Sequence, residues 1–375
     1  MLPDTDSLNK LMKKRPIKVY QGFDPTGGRL HLGHAIGLKK LMDFANAGHE
    51  VTFLFGTGTV LVGDPSLRDS ARTLIKEEEI KKNIEGWKEQ TKSIVDWSKV
   101  SIKHNGDWIT KMTLRDIINI GSKVSAVQLF KRDSFTRRIE KGDTVWFHET
   151  LYPLLQGYDS VEMDVDLEIG GTDQEFNMLM GRELQKKFND KEKWVLEVPM
   201  IVGTDGQQMS KTTGNCVWLD DEPSEVYGKL MRLPDEEMWS YFENVTDVDL
   251  EDVAELKKAV DSGVNPRDAK ARLAHEITMM LHDKAQADEA QAAFDAQFSD
   301  GQLPADIEEI ALESKEWDVA DLLSEAGLVP SKSEARRMLS QGAVKLNQEK
   351  VEKTNVVIAS GDVIQVGKRK FVRVK

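Results

Sequence analysis

YQGFDPTGGRLHLGH, residues 20–34, sets the order of secondary structure in the first part of the chain. A short apolar run from Ile17 enters a turn rich in glycine and proline, and an apolar helical pattern begins near Gly33. The pattern predicts a strand, a sharp turn and a helix start. We expect unpaired backbone N–H groups there, with the positive end of the helix dipole facing an anion. Because His31 and His34 can donate hydrogen bonds to phosphate oxygens, the stretch predicts a polyphosphate site.

Strands and helices alternate after this stretch. A helical pattern over residues 35–47 ends at Gly48, and an apolar strand follows over residues 51–55. Another strand, over residues 165–169, leads through a glycine turn into a helix. This order predicts an α/β fold with a Rossmann-like, doubly wound parallel sheet. Since ligands bind at the carboxyl ends of such strands, Asp64 and the first turn should face one crevice.

Changes of pattern along the 375 residues predict three domains. Residues 1–220 form the sheet domain, with a helical insertion at about 106–150. Residues 221–304 form an α-helical domain rich in Ala, Glu and Lys, which ends in a linker. Residues 312–375 form a small α+β domain, because two helical segments are followed by alternating apolar and polar residues.

Composition and charge exclude several classes of protein. The hydrophobic fraction is 39%, no run of 18 apolar residues occurs, and a signal-peptide core is missing, so we expect a cytoplasmic protein without a membrane span. The single cysteine, Cys216, excludes an internal disulfide, and no residue grouping predicts a resident metal site. The net charge is −13, yet residues 331–375 hold 11 Lys and Arg against four Asp and Glu. This basic end predicts a separate module that binds a polyanion.

Three motifs follow one another in an order that is more informative than any of them alone. HLGH stands at residues 31–34, GTDQ at residues 171–174 and MSK at residues 209–211, each close to the end of a predicted strand. A pair of histidines near a helix start is by itself more often structural than catalytic. In this order the motifs resemble the class I aminoacyl-tRNA synthetases, whose HIGH and KMSKS signatures occupy the same places.

Longer matches narrow the resemblance to the tyrosyl-tRNA synthetase family of bacterial type. The matching segments are YQGFDPT (20–26), VGDPS (62–66), YPLLQGYD (152–159), IGGTDQ (169–174) and DGQQMSKT (205–212). The basic carboxyl end resembles the small RNA-binding domain of the bacterial members. The resemblance implies activation of tyrosine with ATP and Mg²⁺ to tyrosyl-adenylate and transfer of tyrosine to the 3′ end of its tRNA. It also implies an anticodon-binding role for the α-helical domain.

The resemblance assigns six residues to the amino acid, namely Tyr20, Asp64, Tyr152, Gln156, Asp159 and Gln174. Tyr20 and Asp159 match the positions that hydrogen-bond the phenol, and Asp64, Tyr152 and Gln156 match those that bind the ammonium group. A buried site of this kind rejects phenylalanine, because its polar groups would be left unpaired. The i, i+4, i+7 spacing from Tyr152 to Asp159 places three of the side chains on one helix face. Without the other motifs, Tyr20 reads as a core residue and Asp64 as a turn residue before proline.

A second set of positions is assigned to ATP by the resemblance: Gly22, Asp24, Thr26, His31, Gly33, His34, Gly171, Asp173, Met209, Ser210 and Lys211. Asp173 is expected to accept a hydrogen bond from a ribose hydroxyl at a strand end. The reaction needs mainly a stabilised negative charge on the phosphates, so the expected catalytic residues are His31, His34, Lys211 and Thr26.

Gln208 departs from the family pattern, because the first position of KMSKS is a lysine. The change removes a charge that would meet the pyrophosphate, whereas Thr212 at the last position keeps a hydroxyl. We expect Lys211 to supply the charge, helped by the first turn and by Arg68 or Arg72. The departure also leaves open a synthetase-derived RNA-binding protein that no longer charges tRNA. The nearest enzymatic alternative is a tryptophanyl-tRNA synthetase, which shares the fold and much of the motif order.

The candidates for tRNA contact lie in the basic carboxyl end: Lys332, Arg336, Arg337, Lys368, Arg369, Lys370 and Arg373. A solvated charged surface is the simpler explanation, but the synthetase motifs ahead of it favour tRNA binding, which should weaken steeply with salt. Two helical patterns over residues 113–140 contain more apolar residues than a connector needs, and burial on a second subunit or on the chain's own core explains this equally well. The family resemblance implies a homodimer, with its interface in this segment.

Overall fold

A computed structural model of the chain describes residues 1–66, 77–209, 213–299, 307, 309–312, 316–347, 349–351, 353–367 and 370–375. The predicted positions outside these residues are Arg68, Arg72, Ser210, Lys211, Thr212, Lys368, Arg369 and the linker at residues 301–304. The chain divides into two compact units, Met1–Gln291 and Ala292–Lys375.

The first unit contains five strands and most of the helices. In chain order the elements are α1 (Thr5–Met12), β1 (Lys18–Phe23), α2 (Leu32–Asn46), β2 (Glu50–Phe55), α3 (Glu77–Gln90), β3 (Val100–His104), α4 (Gly106–Ile109), α5 (Leu114–Gly121), α6 (Ala126–Phe130), α7 (Asp133–Glu140), α8 (Tyr152–Glu162), β4 (Leu167–Gly171), α9 (Glu175–Asn189), β5 (Trp194–Val198), α10 (Pro223–Leu230), α11 (Met238–Val245), α12 (Leu250–Asp261), α13 (Pro266–Leu281) and α14 (Lys284–Ser299), of which α14 extends past the unit boundary. Short 3-10 helices cover Thr59–Leu61, Phe147–Leu151 and Thr172–Gln174.

The central sheet is parallel throughout, with the strand order β3-β2-β1-β4-β5. On β1, Val19 pairs with Val51 of β2 on one side and with Leu167 of β4 on the other. Val19 and Tyr20 are completely buried, as expected for the middle strand of a sheet covered on both faces. Strands β2 and β3 lie on one side of β1, and β4 and β5 lie on the other. The connections therefore change direction between β1 and β4, and a crevice opens there at the carboxyl ends of the two strands. The predicted doubly wound fold is confirmed.

Helix α2 begins at Leu32, one residue before the predicted start, and His31 is its N-cap. The His31 Nδ1 atom accepts a hydrogen bond from the Gly33 N–H (3.2 Å), and the His34 ring accepts one from the His31 N–H (3.2 Å). The prediction of unpaired N–H groups at this helix start is therefore wrong for Gly33. The side chain of the N-cap residue supplies the acceptor that the first turn otherwise needs.

The segment over residues 113–140 folds into three short helices, α5 to α7, rather than the two helical patterns that we predicted. The backbone leaves the helical region at Ser125 and at Arg132, with ψ near 131° at both residues, and this divides the segment. Several large apolar side chains on these helices are exposed: Leu114, Ile118, Val127, Phe130 and Ile139.

Helices α10 to α13 belong to the same compact unit as the sheet. Helix α11 lies against α2, where the Lys39 Nζ atom donates to the Val245 carbonyl (2.6 Å) and pairs with Asp247 (2.8 Å). The Tyr241 hydroxyl donates to the carbonyl of Val202, which follows β5. The predicted helical content after residue 220 is confirmed, and its packing joins it to the sheet up to Gln291.

The second unit contains β6 (Glu309–Ile310), β7 (Glu316–Asp318), α15 (Val319–Glu325), α16 (Lys332–Ser340), β8 (Val344–Leu346), β9 (Glu349–Lys350), β10 (Asn355–Val357), β11 (Val363–Val366) and β12 (Lys370–Val374). One sheet has the order β6-β12-β11-β8-β9, and β10 pairs with β7. Leu322, Leu323 and Ala335 from the two helices pack with strand residues in a core of their own. This is the small α+β arrangement predicted for residues 312–375. None of the helices in the described part of the chain has the length and apolar character needed to cross a membrane.

Candidate active site

A cavity of about 470 Å³ lies at the carboxyl ends of β1 and β4. Every described residue that we predicted to bind tyrosine or ATP lines it: Tyr20, Gly22, Asp24, Thr26, His31, Gly33, His34, Asp64, Tyr152, Gln156, Asp159, Gly171, Asp173, Gln174 and Met209. The structure thus brings together motifs that are up to about 190 residues apart in the chain, as the switch point of a doubly wound sheet allows.

Asp159 presents a buried carboxylate to the cavity from α8, and its side chain is held from two sides. It accepts hydrogen bonds from the Asn105 Nδ2 atom (3.0 Å) and the Trp108 Nε1 atom (2.9 Å). Burial raises the pKa of the Asp159 carboxyl well above its usual range, and the two hydrogen bonds act against this rise. A carboxylate has about four acceptor sites, so Asp159 keeps capacity for a ligand hydroxyl.

Tyr20 places its hydroxyl against Ser160, with 2.9 Å between the two oxygens. Burial, followed by the nearby carboxylates of Glu168 and Asp159, raises the pKa of the Tyr20 hydroxyl well above its usual value. The hydroxyl is therefore a neutral group that can both donate and accept at the cavity wall. Together with Asp159 it forms a polar, buried region of the cavity lining.

Tyr152 and Thr59 both donate hydrogen bonds to Asp24, at 3.0 and 2.7 Å respectively. Burial, followed by the nearby carboxylates of Asp24 and Asp64, raises the pKa of the Tyr152 hydroxyl well above its usual value. Since its proton faces Asp24, the Tyr152 oxygen is left as an acceptor for a cation. Asp24 thus links the turn after β1 to helix α8.

Asp64 lies in a network at the start of the GDPS turn. It accepts hydrogen bonds from the Ser66 N–H (2.8 Å) and from the Gln174 Nε2 atom (2.9 Å), and the Arg132 guanidinium pairs with it at 3.3 Å. Burial lowers the pKa of Arg132 while Asp64 acts against this, as expected for a buried counter-ion. Asp64 is therefore both a turn residue and a charged wall of the cavity, so the two roles are compatible.

Glu168 on β4 and Lys193 before β5 form an ion pair whose two side chains are 3% and 0% exposed. The Lys193 Nζ atom also donates to the Met178 carbonyl (3.2 Å), and the Glu168 carboxylate accepts from the Gln156 Nε2 atom (3.1 Å). Glu168 lines the cavity, although neither residue of the pair is among the positions predicted from the sequence. A charged residue within an otherwise apolar strand, LEIGG, is the signal that would have indicated Glu168.

The cavity lining also includes the first turn of α2 and the loop after β5. The His31 and His34 rings lie with their centres 4.0 Å apart, and a Cβ atom at Gly33 would lie 3.0 Å from the His31 ring. Gln208 is exposed and pairs with Val202 in an isolated bridge, and its carbonyl accepts from Asn215 (3.0 Å). Gln208 and Met209 reach the cavity, while Ser210 and Lys211 lie outside the described residues.

Asp173 follows β4 on the same side of the cavity, next to Gly171. A Cβ atom at Gly171 would lie 2.4 Å from the Asp173 Oδ1 atom, so only glycine lets the carboxylate approach the strand end so closely. Burial raises the pKa of the Asp173 carboxyl, and the hydrogen bond from Gln174 opposes this. Because burial disfavours the charge of this carboxylate, a hydrogen bond donated by a ligand would stabilise it.

The second unit has basic side chains on α16 and β12. Lys332 pairs with Asp321 (2.7 Å), Arg337 pairs with Glu334, and the Lys370 Nζ atom donates to the Leu328 carbonyl (2.7 Å). Arg336 is exposed and Arg373 is partly buried, while Lys368 and Arg369 lie outside the described residues. The positive charge of Lys370 lowers the pKa of Glu334, though less than its partner Arg337 does.

Comparison with protein families gives two adjacent matches that together cover most of the chain. Residues 12–299 match the family of tRNA synthetases class I (W and Y), and residues 299–374 match the tyrosine–tRNA ligase SYY-like C-terminal domain.

Relatives of known name are similar over the whole chain. Tyrosine–tRNA ligase 2 of Vibrio cholerae is 44% identical over 376 residues, covering 100% of this chain and 95% of the relative. Tyrosine–tRNA ligase of Bordetella pertussis is 41% identical over 381 residues, covering 100% and 93%.

Solved structures show the same fold at low sequence identity. A truncated mitochondrial tyrosyl-tRNA synthetase of Aspergillus nidulans superposes with a TM-score of 0.66 at 23% identity, covering 79% of this chain and 89% of that one. The tyrosyl-tRNA synthetase of Archaeoglobus fulgidus, complexed with L-tyrosine, gives 0.60 at 22% identity, covering 76% and 94%.

Proposed function

The chain belongs to the family of class I tRNA synthetases that contains the tryptophan and tyrosine enzymes, and we propose how its cavity carries out the reaction of the tyrosine members. That reaction is the activation of tyrosine with ATP and the transfer of tyrosine to tRNA. The observation that carries the choice of amino acid is the buried pair of polar groups, the Tyr20 hydroxyl and the Asp159 carboxylate, at one cavity. A phenol hydroxyl satisfies both groups, whereas the indole of tryptophan offers a single donor and no acceptor.

Tyrosine binds with its phenol between Tyr20 and Asp159 and its ammonium group near Asp64. The Tyr152 oxygen and the Gln156 amide oxygen are the neutral acceptors for the ammonium group, and Gln174 holds Asp64 in place. Phenylalanine would leave the buried hydroxyl and carboxylate unpaired. The same penalty underlies the discrimination of roughly 10⁵ against phenylalanine that is already established for tyrosyl-tRNA synthetases.

ATP binds at the other end of the cavity. The ribose lies at Asp173 and Gly171, with Gly22 leaving room at the end of β1, and the phosphates lie against Thr26, His31 and His34. Met209 lines the cavity, and we assign Ser210 and Lys211, which lie outside the described residues, to the phosphates. A carboxylate oxygen of tyrosine attacks the α-phosphorus, the bond to the bridging oxygen breaks, and pyrophosphate leaves with its electron pair. The residues stabilise the charge that develops on these oxygens.

Mg²⁺ enters with ATP as part of the substrate. In the described part of the chain, no three His, Cys, Asp or Glu side chains are grouped closely enough to hold a metal ion. Mg²⁺ is commonly held by substrate phosphates and water, so phosphate oxygens are its main ligands in this proposal.

The tRNA then places its terminal ribose hydroxyl at the carbonyl of the adenylate, a new ester bond forms, and AMP leaves. We assign contact with the rest of the tRNA to residues 221–304 and to a basic surface with Lys332, Arg336, Arg337, Lys370 and Arg373. The further basic residues Lys368 and Arg369, which lie outside the described residues, are assigned to the same contact. The support for this surface is its charge, which contrasts with the acidic balance of the preceding residues.

We propose that two copies of the chain associate through α5 to α7, and that the enzyme works in the cytoplasm. Five large apolar side chains on these helices are exposed in the single chain, which favours a partner over burial on its own core. Ile118→Asp should convert a dimer to a monomer in analytical ultracentrifugation. A monomeric parent protein would contradict the proposal.

The experiment that tests the function is pyrophosphate exchange with ATP, driven by tyrosine, by tryptophan or by neither. Exchange with tyrosine alone is expected, and exchange with tryptophan alone, or no exchange, would overturn the assignment. Lys211→Ala should slow adenylate formation by about 10² to 10³ with tyrosine binding nearly unchanged. An equal loss of both would remove Lys211 from the phosphate end.

A further inference from the structure

The ion pair of Glu168 and Lys193 has no part in the reaction described so far, although Glu168 lines the cavity. Both side chains are almost completely buried. Helix α9 has a glycine beside the pair: a Cβ atom at Gly181 would lie 2.4 Å from the Lys193 Nζ atom and 2.8 Å from the Ser160 Oγ atom. The glycine therefore leaves space for the charged pair. Two apolar side chains in its place would commonly give the protein the same stability.

The Glu168 carboxylate determines which way the Gln156 amide faces. The Gln156 Nε2 atom donates a hydrogen bond to the Glu168 carboxylate at 3.1 Å, so the NH₂ end of the amide faces Glu168. The Gln156 Oε1 atom is buried and has no hydrogen-bond partner among the residues that the structure describes. One end of the amide is thus held by the protein, and its acceptor end is available to the cavity that Gln156 lines.

Lys193 holds the Glu168 carboxylate in place. Its Nζ atom pairs with the carboxylate, is held by the Met178 carbonyl (3.2 Å), and lies 5.8 Å from the centre of the Tyr20 ring. Without this fixed carboxylate acceptor, the Gln156 amide could turn its NH₂ group toward the ligand, where it would repel an ammonium group.

We propose that Glu168, with Lys193 as its counter-ion, is a positioning residue for tyrosine binding that holds the Gln156 amide with its oxygen toward the ammonium group of the substrate. The proposal rests on the role of Gln156 in the proposed function. It predicts that the pair affects ligands according to whether they carry an ammonium group, while a purely structural pair would affect all ligands alike.

The test uses the full chain with both charges removed, Glu168→Gln together with Lys193→Met, so that no lone charge remains buried. Dissociation constants are measured for L-tyrosine, for tyramine, which keeps the ammonium group, and for 3-(4-hydroxyphenyl)propionate, which lacks it. We expect tyrosine and tyramine to bind on the order of tenfold more weakly, and the propionate to change by less than about twofold. Equal weakening of all three ligands, or unchanged tyrosine binding, would overturn the proposal.

Gln156→Met separates this proposal from the function on which it rests. If Gln156→Met leaves tyrosine binding unchanged, the assigned role of Gln156 fails, and the positioning role fails with it. If Gln156→Met weakens tyrosine binding and the double variant does not, only the positioning role fails. We expect the triple variant to bind tyrosine no more weakly than Gln156→Met alone, because the pair acts through that amide.

Discussion

The cavity of the first unit and the basic surface of the second unit use charge in different ways. Asp159 and Glu168 line the cavity, Lys193 pairs with Glu168, and all three are almost completely buried with fixed hydrogen-bond partners. On the surface, Lys332 and Arg336 are exposed, where charges interact weakly and are screened by salt. A single substitution in the cavity should therefore have a large effect that depends little on salt. A single substitution on the surface should have a small effect that depends strongly on it.

The largest effect is expected at the phosphate end of the cavity. His34→Ala should slow adenylate formation by about a hundredfold, because it removes a group that stabilises charge developing on the phosphates. Tyrosine binding should change by less than about twofold, since His34 and the phenol partners lie at different ends of the site. Single-turnover measurements at saturating ATP, with tyrosine binding measured by equilibrium dialysis, test both values. Equal losses in rate and tyrosine affinity would show that the two ends are not separate.

His31→Ala is a second test of the phosphate role of the two histidines. His31 also caps α2, so its loss should lower stability by roughly 1 kcal/mol in addition to the loss of rate. Normal adenylate formation in both histidine variants would remove the phosphate role from this motif.

A smaller effect is expected from one hydroxyl at the phenol end. Tyr20→Phe should reduce the preference for tyrosine over phenylalanine by about tenfold, because one buried partner of the phenol is lost while Asp159 remains. Tyr241→Phe is the matched control, since this buried hydroxyl donates to the Val202 carbonyl and neither Tyr241 nor Val202 lines the cavity. The ratio of kcat/KM for the two amino acids, measured by pyrophosphate exchange, should change in the first variant only.

The sequence predicted many of the residues that line the cavity, but not the hydrogen bonds and ion pairs that hold them. Motif residues such as Asp24, Asp64 and Asp159 follow strand ends or share a helix face, and the parallel sheet brings such positions together. Asn105 also follows a strand, β3, but belongs to none of the motifs, and Arg132 and Lys193 have neither feature. Their partners are 54, 68 and 25 residues away in the chain, so only the tertiary structure identifies them.

The two expectations that failed have a common cause. The start of α2 was expected to offer unpaired N–H groups, but the His31 side chain occupies one of them, and residues 113–140 form three helices instead of two. In both cases the outcome is decided at a helix end, by the His31 side chain at the start of α2 and by the backbone angles at Ser125 and Arg132 in the segment over residues 113–140. Periodicity locates the interior of a helix better than its ends.

Asp166 is a buried carboxylate that does not line the cavity. Its substitution tests whether burial alone, or a position at the cavity, determines the effect of a charge on tyrosine binding. Asp166 accepts hydrogen bonds from Arg15 (2.7 and 2.9 Å) and from the Lys18 N–H (2.8 Å). Burial alone would raise the pKa of the Asp166 carboxyl, but Arg15, the Lys18 N–H and Lys191 hold it below its usual value. Asp166→Asn should cost on the order of 1 kcal/mol in unfolding free energy at pH 7 and leave tyrosine binding unchanged.

The difference in unfolding free energy between the parent protein and Asp166→Asn should decrease as the pH falls. A carboxyl whose pKa is lower in the folded chain adds stability above its unfolded pKa, and this stability is lost as the pH falls through the folded pKa. The parent protein should therefore approach the stability of Asp166→Asn below about pH 4. Urea unfolding from pH 7 downward measures the two curves. A gap that stays constant in acid would mean that the stabilisation by Asp166 is not electrostatic.

The smallest effect is expected on the basic surface, and it is the one that salt should change. Arg336→Ala should weaken tRNA binding by only a few-fold near 0.1 M salt, and the slope of log K against log salt should fall by about one. Lys332→Ala is the matched comparison, because Lys332 already pairs with Asp321 at 2.7 Å and sits on the same helix. Its charge is partly neutralised before tRNA arrives, so its removal should change the slope less. Filter binding over a range of salt concentrations measures both slopes. If either substitution instead reduced tRNA affinity a hundredfold at every salt concentration, this surface would act through fixed contacts, as the cavity does.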